Sequence, residues 1–226
     1  MSQHPLRRLS TPRAAAAAGV LFALLFGAAL ILIRAALPEG AEPGSQWLVA
    51  GSTNLKIAAT LMPFAGISFL WFMGVVRDGL GGYEDRFFAT VFIGSGLLFL
   101  AMMFLSTGVG AGLERSGAAL DSSAATLGQM VLLTISKTYA LRMAAVFMMS
   151  LATIWLKTGL MPRWLVVLSY LVAVVLLIGS DITMWLTLVF PLWVLVVSLL
   201  LLVRAGVIDL PGEHHPPAST PRPDTA

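Results

Sequence analysis

The chain alternates long apolar runs with short polar interruptions. Residues 14–33, 57–76, 87–108, 164–179 and 184–203 carry no charged side chain, and a further apolar run ends at Leu156 and begins between Leu127 and Thr138. About twenty helical residues at 1.5 Å rise cross the ~30 Å hydrocarbon core of a bilayer. These runs are apolar on every face, whereas a transmembrane β-barrel alternates its apolar positions in segments of about ten residues. The pattern predicts an all-α, polytopic transmembrane helical bundle with six spans and short loops. It divides the chain into an N-terminal tail over 1–13, a six-helix domain over 14–203, and a tail over 204–226 that is rich in Pro, His, Ser and Thr and reads as disordered.

The apolar region of the first span is longer than the 7–15 residues of a signal-peptide core, and Arg34 and Pro38 stand where a small-residue cleavage site would follow. A retained anchor is expected. Composition agrees with the membrane class: 58% of the 226 residues are hydrophobic and 11% charged, less than half the ~25% of soluble domains. The absence of cysteine excludes disulfides, thiolate chemistry and iron–sulfur clusters. The formal net charge of +3 sits mostly outside the apolar runs and points to membrane orientation, not to nucleic acid.

Basic residues set that orientation. With both termini cytoplasmic, Arg7, Arg8, Arg13, Arg77, Arg86, Lys157, Arg163, Arg204 and Arg222 lie inside, and Arg34, Lys56, Arg115, Lys137 and Arg142 lie outside or at outer span ends. Nine against five is the bias of a multi-pass protein of the bacterial inner (plasma) membrane. Trp71, Trp155 and Trp164 fall toward the inner boundary, Trp47 and Trp185 toward the outer, as an aromatic belt would.

Between spans two and three stands GVVRDGLGGYEDRFFA, with Arg77, Asp78, Glu84, Asp85 and Arg86. Gly79, Gly81 and Gly82 allow a tight reversal, and Asp85 is placed to cap helix three. Most of these charges suit a plain cytoplasmic turn. Arg77, Asp78, Asp85 and Arg86 form a candidate clasp on a neighbouring helix. The outer loop over 34–56 is expected to be irregular, with Pro38, Gly40, Pro43 and Gly44, and in the loop over 109–128 Asp121 or Ser122 can start helix four early. Pro63 and Pro191 do not correspond under a three-plus-three division, which argues against an inverted-repeat transporter.

Charge near or within the spans marks the candidate chemistry. Lys56 and Lys137 lie at the outer boundary, where their ammonium groups can snorkel to the headgroups. Arg142 is five residues past Lys137, roughly 7 Å deeper. It either reaches upward or faces protein, and the second is expected, with Asp181 as best partner and Glu39, Glu42, Glu114 and Asp121 as others. Lys137, Tyr139, Arg142 and Asp181 form the candidate outer polar cluster, with Thr138 close by; it could clasp helices or line the mouth of a solute path. No span carries a histidine or a carboxylate, so a haem held by two histidines is excluded and a proton relay is poorly supported. No catalytic residue, cofactor site or metal site is expected: His4, His214 and His215 lie in the tails, and Ser136 and Lys137 are adjacent and point to different helix faces.

Small residues in the first three spans (Gly27, Ala58, Ala65, Gly66, Gly94, Gly96, Gly108 among them) suit close helix approach. Pro63-Phe64-Ala65-Gly66 gives either a packed kink or an opening of span two toward a cavity. The eleven methionines suit adaptable packing.

The segment PFAGISFLWFMGVVRDGLGGYEDRFFATVFIGSGLLFLAMMF, residues 63–104, resembles a group of uncharacterised bacterial integral membrane proteins of about this length, through FLWF-x-GVVRD, EDRFFATVF and GSGLLF. The resemblance implies the six-span fold and no particular activity. A second, partial likeness is to the major facilitator motif G-x-x-x-D-x-x-G-R-R between spans two and three. Gly74, Asp78 and Gly81 fit it, but Gly82 and Tyr83 replace the basic pair. The expected function is a non-catalytic membrane interaction or accessory component, with partners in the lipid bilayer, a second copy of the chain or another membrane protein. The alternatives are an oligomeric small-solute transporter or channel and, third, a lipid-active intramembrane enzyme.

Overall fold

The computed structural model describes residues 11–36, 45–80, 86–116, 121–179 and 184–204. Among them every regular element is helical. These are α1 (Thr11–Ala36), α2 (Ser45–Leu80), α3 (Arg86–Ser116), α4 (Ser122–Leu133), a π-helical segment (Thr134–Ala140), α5 (Leu141–Thr158), α6 (Arg163–Gly179), a 3-10 turn (Met184–Leu188) and α7 (Val189–Arg204). Five helices are long and apolar enough to cross a membrane: Arg13–Ala36, Gly51–Asp78, Phe87–Ser116, Ser123–Thr158 and Trp185–Arg204. The remaining apolar helix, α6, has 17 residues, the short limit for a span.

The helices outrun the apolar runs that predict them. α2 starts at Ser45 and not at residue 57, so much of the expected loop over 34–56 is helix. At 36 residues it is about 54 Å long, well beyond the hydrocarbon thickness. Gly51-Ser52-Thr53-Asn54 are weak helix formers, so the extension is held by packing, with Gly51 lying against the Ala36 backbone of α1. α3 likewise runs on to Ser116. Asp121 caps α4 as the sequence allows, its carboxylate accepting the Ala124 N–H at 2.6 Å. At the far end of α5, Gly159 takes the left-handed conformation (φ 67°) that terminates the helix.

α4, the π segment and α5 form one continuous helical rod. Its π turn is reinforced from outside: the hydroxyls of Ser106 on α3 and Ser136 both donate to the Leu132 carbonyl, at 3.0 and 2.8 Å. A carbonyl has two lone pairs, and the widened turn leaves this one accessible to a neighbouring helix. Nothing in TISKTYA announces the change of winding. Pro191 marks a second change. It cannot donate to the Thr187 carbonyl four residues back, and there the 3-10 turn gives way to α7.

The core is aromatic. Phe69 meets the rings of Phe22, Phe72, Phe99, Phe147 and Phe190 at centroid separations of 4.6–6.2 Å. Phe190 extends the cluster to Trp193, and Trp193 extends it to Trp155. Trp155 is therefore buried, not part of a boundary belt, whereas Trp71, Trp164 and Trp185 are exposed. Small residues divide by role. A Cβ on Gly51 would stand 2.9–3.1 Å from Ala36, so α1 and α2 approach backbone to backbone there. Gly66 and Gly96 are also filled over by neighbours, but Gly27, Gly94 and Gly108 face open space.

Most buried hydroxyls are satisfied locally, Ser198 on α7 being an exception whose Oγ has no hydrogen-bond partner among the described residues. Ser68, Ser95, Thr107, Ser150, Thr153 and Ser169 each donate to a carbonyl four residues back, the arrangement that lets a polar side chain lie in an apolar helix. Two of them also bridge helices: Trp193 Nε1 donates to Ser169 Oγ at 2.9 Å, and Thr153 and Tyr170 share a hydrogen bond of 2.6 Å.

Candidate functional site

Charge collects at the two ends of the bundle. One end carries Arg13, Arg77, Asp78, Lys157, Arg163 and Arg204. It is tied by Lys157, whose ammonium lies 4.6 Å from the Phe88 ring centre, and by Arg204, which donates to the Leu160 carbonyl. Arg77 and Asp78 of the expected clasp are both exposed at the last turns of α2. Asp85 and the side chain of Arg86 lie outside the described residues.

The opposite end carries Arg34, Lys56, Glu114, Arg115 and Asp121. Lys56 does not stand alone at the boundary. Its Nζ lies 2.8 Å from Glu114 Oε1, joining α2 to α3. The lysine is 66% exposed, so its charge is well hydrated, while the glutamate is 10% exposed; glutamine at position 56 still offers that carboxylate an N–H donor. Lys56→Gln is expected to change unfolding free energy by less than about 1 kcal/mol, measured by denaturant titration in detergent micelles.

Three of the four residues of the expected outer polar cluster lie among the described residues. Lys137 and Tyr139 lie on the π segment and Arg142 one residue into α5. Lys137 and Arg142 are half-buried and Tyr139 is exposed. Asp181, the expected partner of Arg142, lies outside the described residues, as do Glu39 and Glu42. Glu114 is engaged by Lys56, and Asp121 by the cap of α4. π turns recur at functional positions in helices, and the coincidence of this one with the two basic side chains makes the segment the polar feature of the rod.

Sequence reasoning missed the most buried cation among the described residues. Arg34 closes α1 and is only 8% exposed. Its Nη2 donates to Thr187 Oγ1 at 2.6 Å, across 153 positions of sequence. The available signal was its setting: it follows Ile31-Leu32-Ile33 and precedes Ala35-Ala36 with no polar spacer.

A groove of about 270 Å³ opens between α2 and α3, lined by Ala59, Met62, Pro63, Phe104, Thr107, Gly108, Ala111 and Arg115. Of the two outcomes expected around Pro63, α2 stays helical and a cavity opens beside it. Pro63 has no N–H, so the Ala59 carbonyl lacks its helical donor. Phe104 closes one end by lying over Gly66, where a Cβ would collide with its ring. The Thr107 hydroxyl is engaged by the Met103 carbonyl at 2.7 Å, so the walls are apolar except at Arg115.

No group of three or more His, Asp or Glu side chains suited to a metal ion occurs among the described residues. Compared with known protein families, with curated proteins and with solved structures, the chain matches none of them.

Proposed function

We propose that the chain is a six-span integral protein of the bacterial inner membrane, with both termini cytoplasmic, acting as a non-catalytic interaction or accessory component. α6 is its shortest span. The membrane placement is supported by the outer surface. Leu24, Trp71, Leu127, Leu171 and Ile178 are each 60% or more exposed, and an apolar surface wrapping a whole bundle suits lipid contact, not water. The orientation is supported by the basic end formed by Arg13, Arg77, Lys157, Arg163 and Arg204.

The observation that carries the functional reading is the packed aromatic core. Phe22, Phe69, Phe99, Phe147 and Phe190 occupy the centre that a solute path through a single bundle would need. Catalysis by a buried serine is disfavoured at Ser68, Ser95, Ser106, Ser136, Ser150 and Ser169, whose hydroxyls are engaged with carbonyl oxygens; the buried Ser198 hydroxyl has no hydrogen-bond partner among the described residues, and no base group is recorded against it.

Two measurements test the reading. In proteoliposomes, the pure protein is expected to pass ions and small solutes no faster than protein-free vesicles; flux that Arg142→Gln abolishes would establish transport instead. In intact cells, photo-crosslinkers at Ile67, Trp71, Leu97 and Leu171 are expected to join one recurrent membrane protein, or a second copy, from one face only. Uniform crosslinking to lipid from all four positions would remove the interaction role.

A further inference from the structure

We propose that the groove between α2 and α3 holds one acyl chain of an anionic phospholipid, with the lipid phosphate at Arg115. This rests on the membrane reading above and adds a ligand to it. Three observations converge on that occupant. The first is length: Phe104 and Arg115, at the two ends of the groove, are eleven positions apart on α3, or about 16 Å of helix. One leaflet of a ~30 Å hydrocarbon core is about 15 Å deep. The groove thus runs from the headgroup boundary to the bilayer midplane.

The second is chemistry. Ala59, Met62, Pro63, Phe104, Gly108 and Ala111 offer hydrocarbon contact, and Thr107 adds its methyl because its hydroxyl is engaged within α3. At about 270 Å³ the space is below the ~300–1,000 Å³ of sites for whole drug-sized ligands, which suits one chain lying along the wall. The third is charge. Lys56 beside the groove is balanced by Glu114, whereas Arg115 makes no ion pair or hydrogen bond among the described residues. A guanidinium over the open end of an apolar groove complements a phosphate, to which arginine gives paired hydrogen bonds. An uncharged hydrocarbon or a free anion would use only half of this site.

Gly108 allows a clean test. A Cβ there meets nothing within 4 Å and Gly108 lines the groove, so Gly108→Leu places a side chain into that space with no clash at its root. Gly112, also open but outside the groove wall, supplies the matched control Gly112→Leu. The full chain is reconstituted into vesicles of phosphatidylglycerol and phosphatidylcholine in equal amounts. It is then floated, extracted in mild detergent and weighed by native mass spectrometry. Wild type and Gly112→Leu are expected to carry one phosphatidylglycerol. Gly108→Leu is expected to retain at least tenfold less, and Arg115→Gln to lose the preference for phosphatidylglycerol over phosphatidylcholine. Protein that floats but carries no phospholipid, or a Gly108→Leu variant that retains as much as wild type, overturns the lipid site alone. Equal lipid preference in Arg115→Gln and wild type overturns the phosphate assignment. Protein that fails to float with the vesicles overturns the membrane reading and the site together.

Discussion

Phe69→Ala is expected to cost about 2–4 kcal/mol of unfolding free energy and to produce the largest loss among single truncations in the bundle. Phe69 is fully buried and touches five other aromatic rings, drawn from α1, α2, α3, α5 and α7. In a soluble core, Phe→Ala removes a transfer term and leaves a cavity, for about 3–5 kcal/mol in total. Between helices in lipid the transfer term shrinks, because lipid tails are as apolar as the protein interior. What remains is dispersion and cavity, and here the lost ring leaves several neighbours without a partner at once. The proper control is Phe64→Ala. Phe64 is five residues earlier on the same helix and 58% exposed, so its loss is expected to lie within about 0.5 kcal/mol of zero. Trp155 and Trp193, 6.0 Å apart at the edge of the cluster, report the transition by fluorescence. Equal losses from Phe69→Ala and Phe64→Ala would place the stability of this bundle elsewhere.

The aromatic core was written in the sequence as spacing. Phe22 and Phe26, Phe69 and Phe72, and Phe92 and Phe99 recur at four, three and seven positions, which puts each pair on one helix face. In a chain so apolar throughout, that periodicity is easily hidden, and glycine and alanine attract attention first. They do mark close approach at Gly51 and Gly96, yet Gly27, Gly94 and Gly108 face open space. A small residue permits contact without requiring it. Helix identity was legible because uncharged runs of twenty residues have few alternatives. Helix ends were not, since Gly51-Ser52-Thr53-Asn54 reads as a break, yet Ser45 to Lys56 stays helical where Gly51 packs on the Ala36 backbone of α1. The Asp121 cap and the Gly159 stop were legible or explicable from local chemistry alone.

The candidate sites divide along the same line. Pro63 announced a disturbance in α2, because a missing N–H is a local fact, and the groove lies beside it. That Glu114 meets Lys56 was not readable, although both were recognised as outer-end charges, because choosing among carboxylates needs the helix register. The π segment was invisible because its support comes from Ser106 on another helix. The burial of Arg34 was invisible for the same reason: its partner is contributed by a turn far along the chain.

That pairing yields the second large effect, and its sign runs against the usual ranking of substitutions. Thr187→Val is expected to destabilise the protein more than Arg34→Met, although it changes fewer atoms and no charge. Thr187 is 3% exposed and Arg34 8%, and their 2.6 Å bond links the end of α1 to the turn that begins the last span. Hydrogen bonds to a charged group contribute about 1.5–3 kcal/mol. Valine keeps the volume of Thr187 but withdraws one acceptor from a guanidinium that is held out of water and whose Nε already lacks a hydrogen bond, and a buried charge that loses an acceptor is the costlier residue of a broken pair. Methionine at position 34 keeps much of the apolar stem, removes the charge, and leaves only a neutral hydroxyl, for about 1 kcal/mol. The double variant should then lose little beyond Arg34→Met alone, because valine no longer faces a cation; the two substitutions are strongly non-additive. Unfolding titrations of the two single variants and the double variant give the coupling directly. Additive losses, or a larger loss for Arg34→Met than for Thr187→Val, would show that Arg34 is held by the rest of its surroundings and that the contact with Thr187 is incidental.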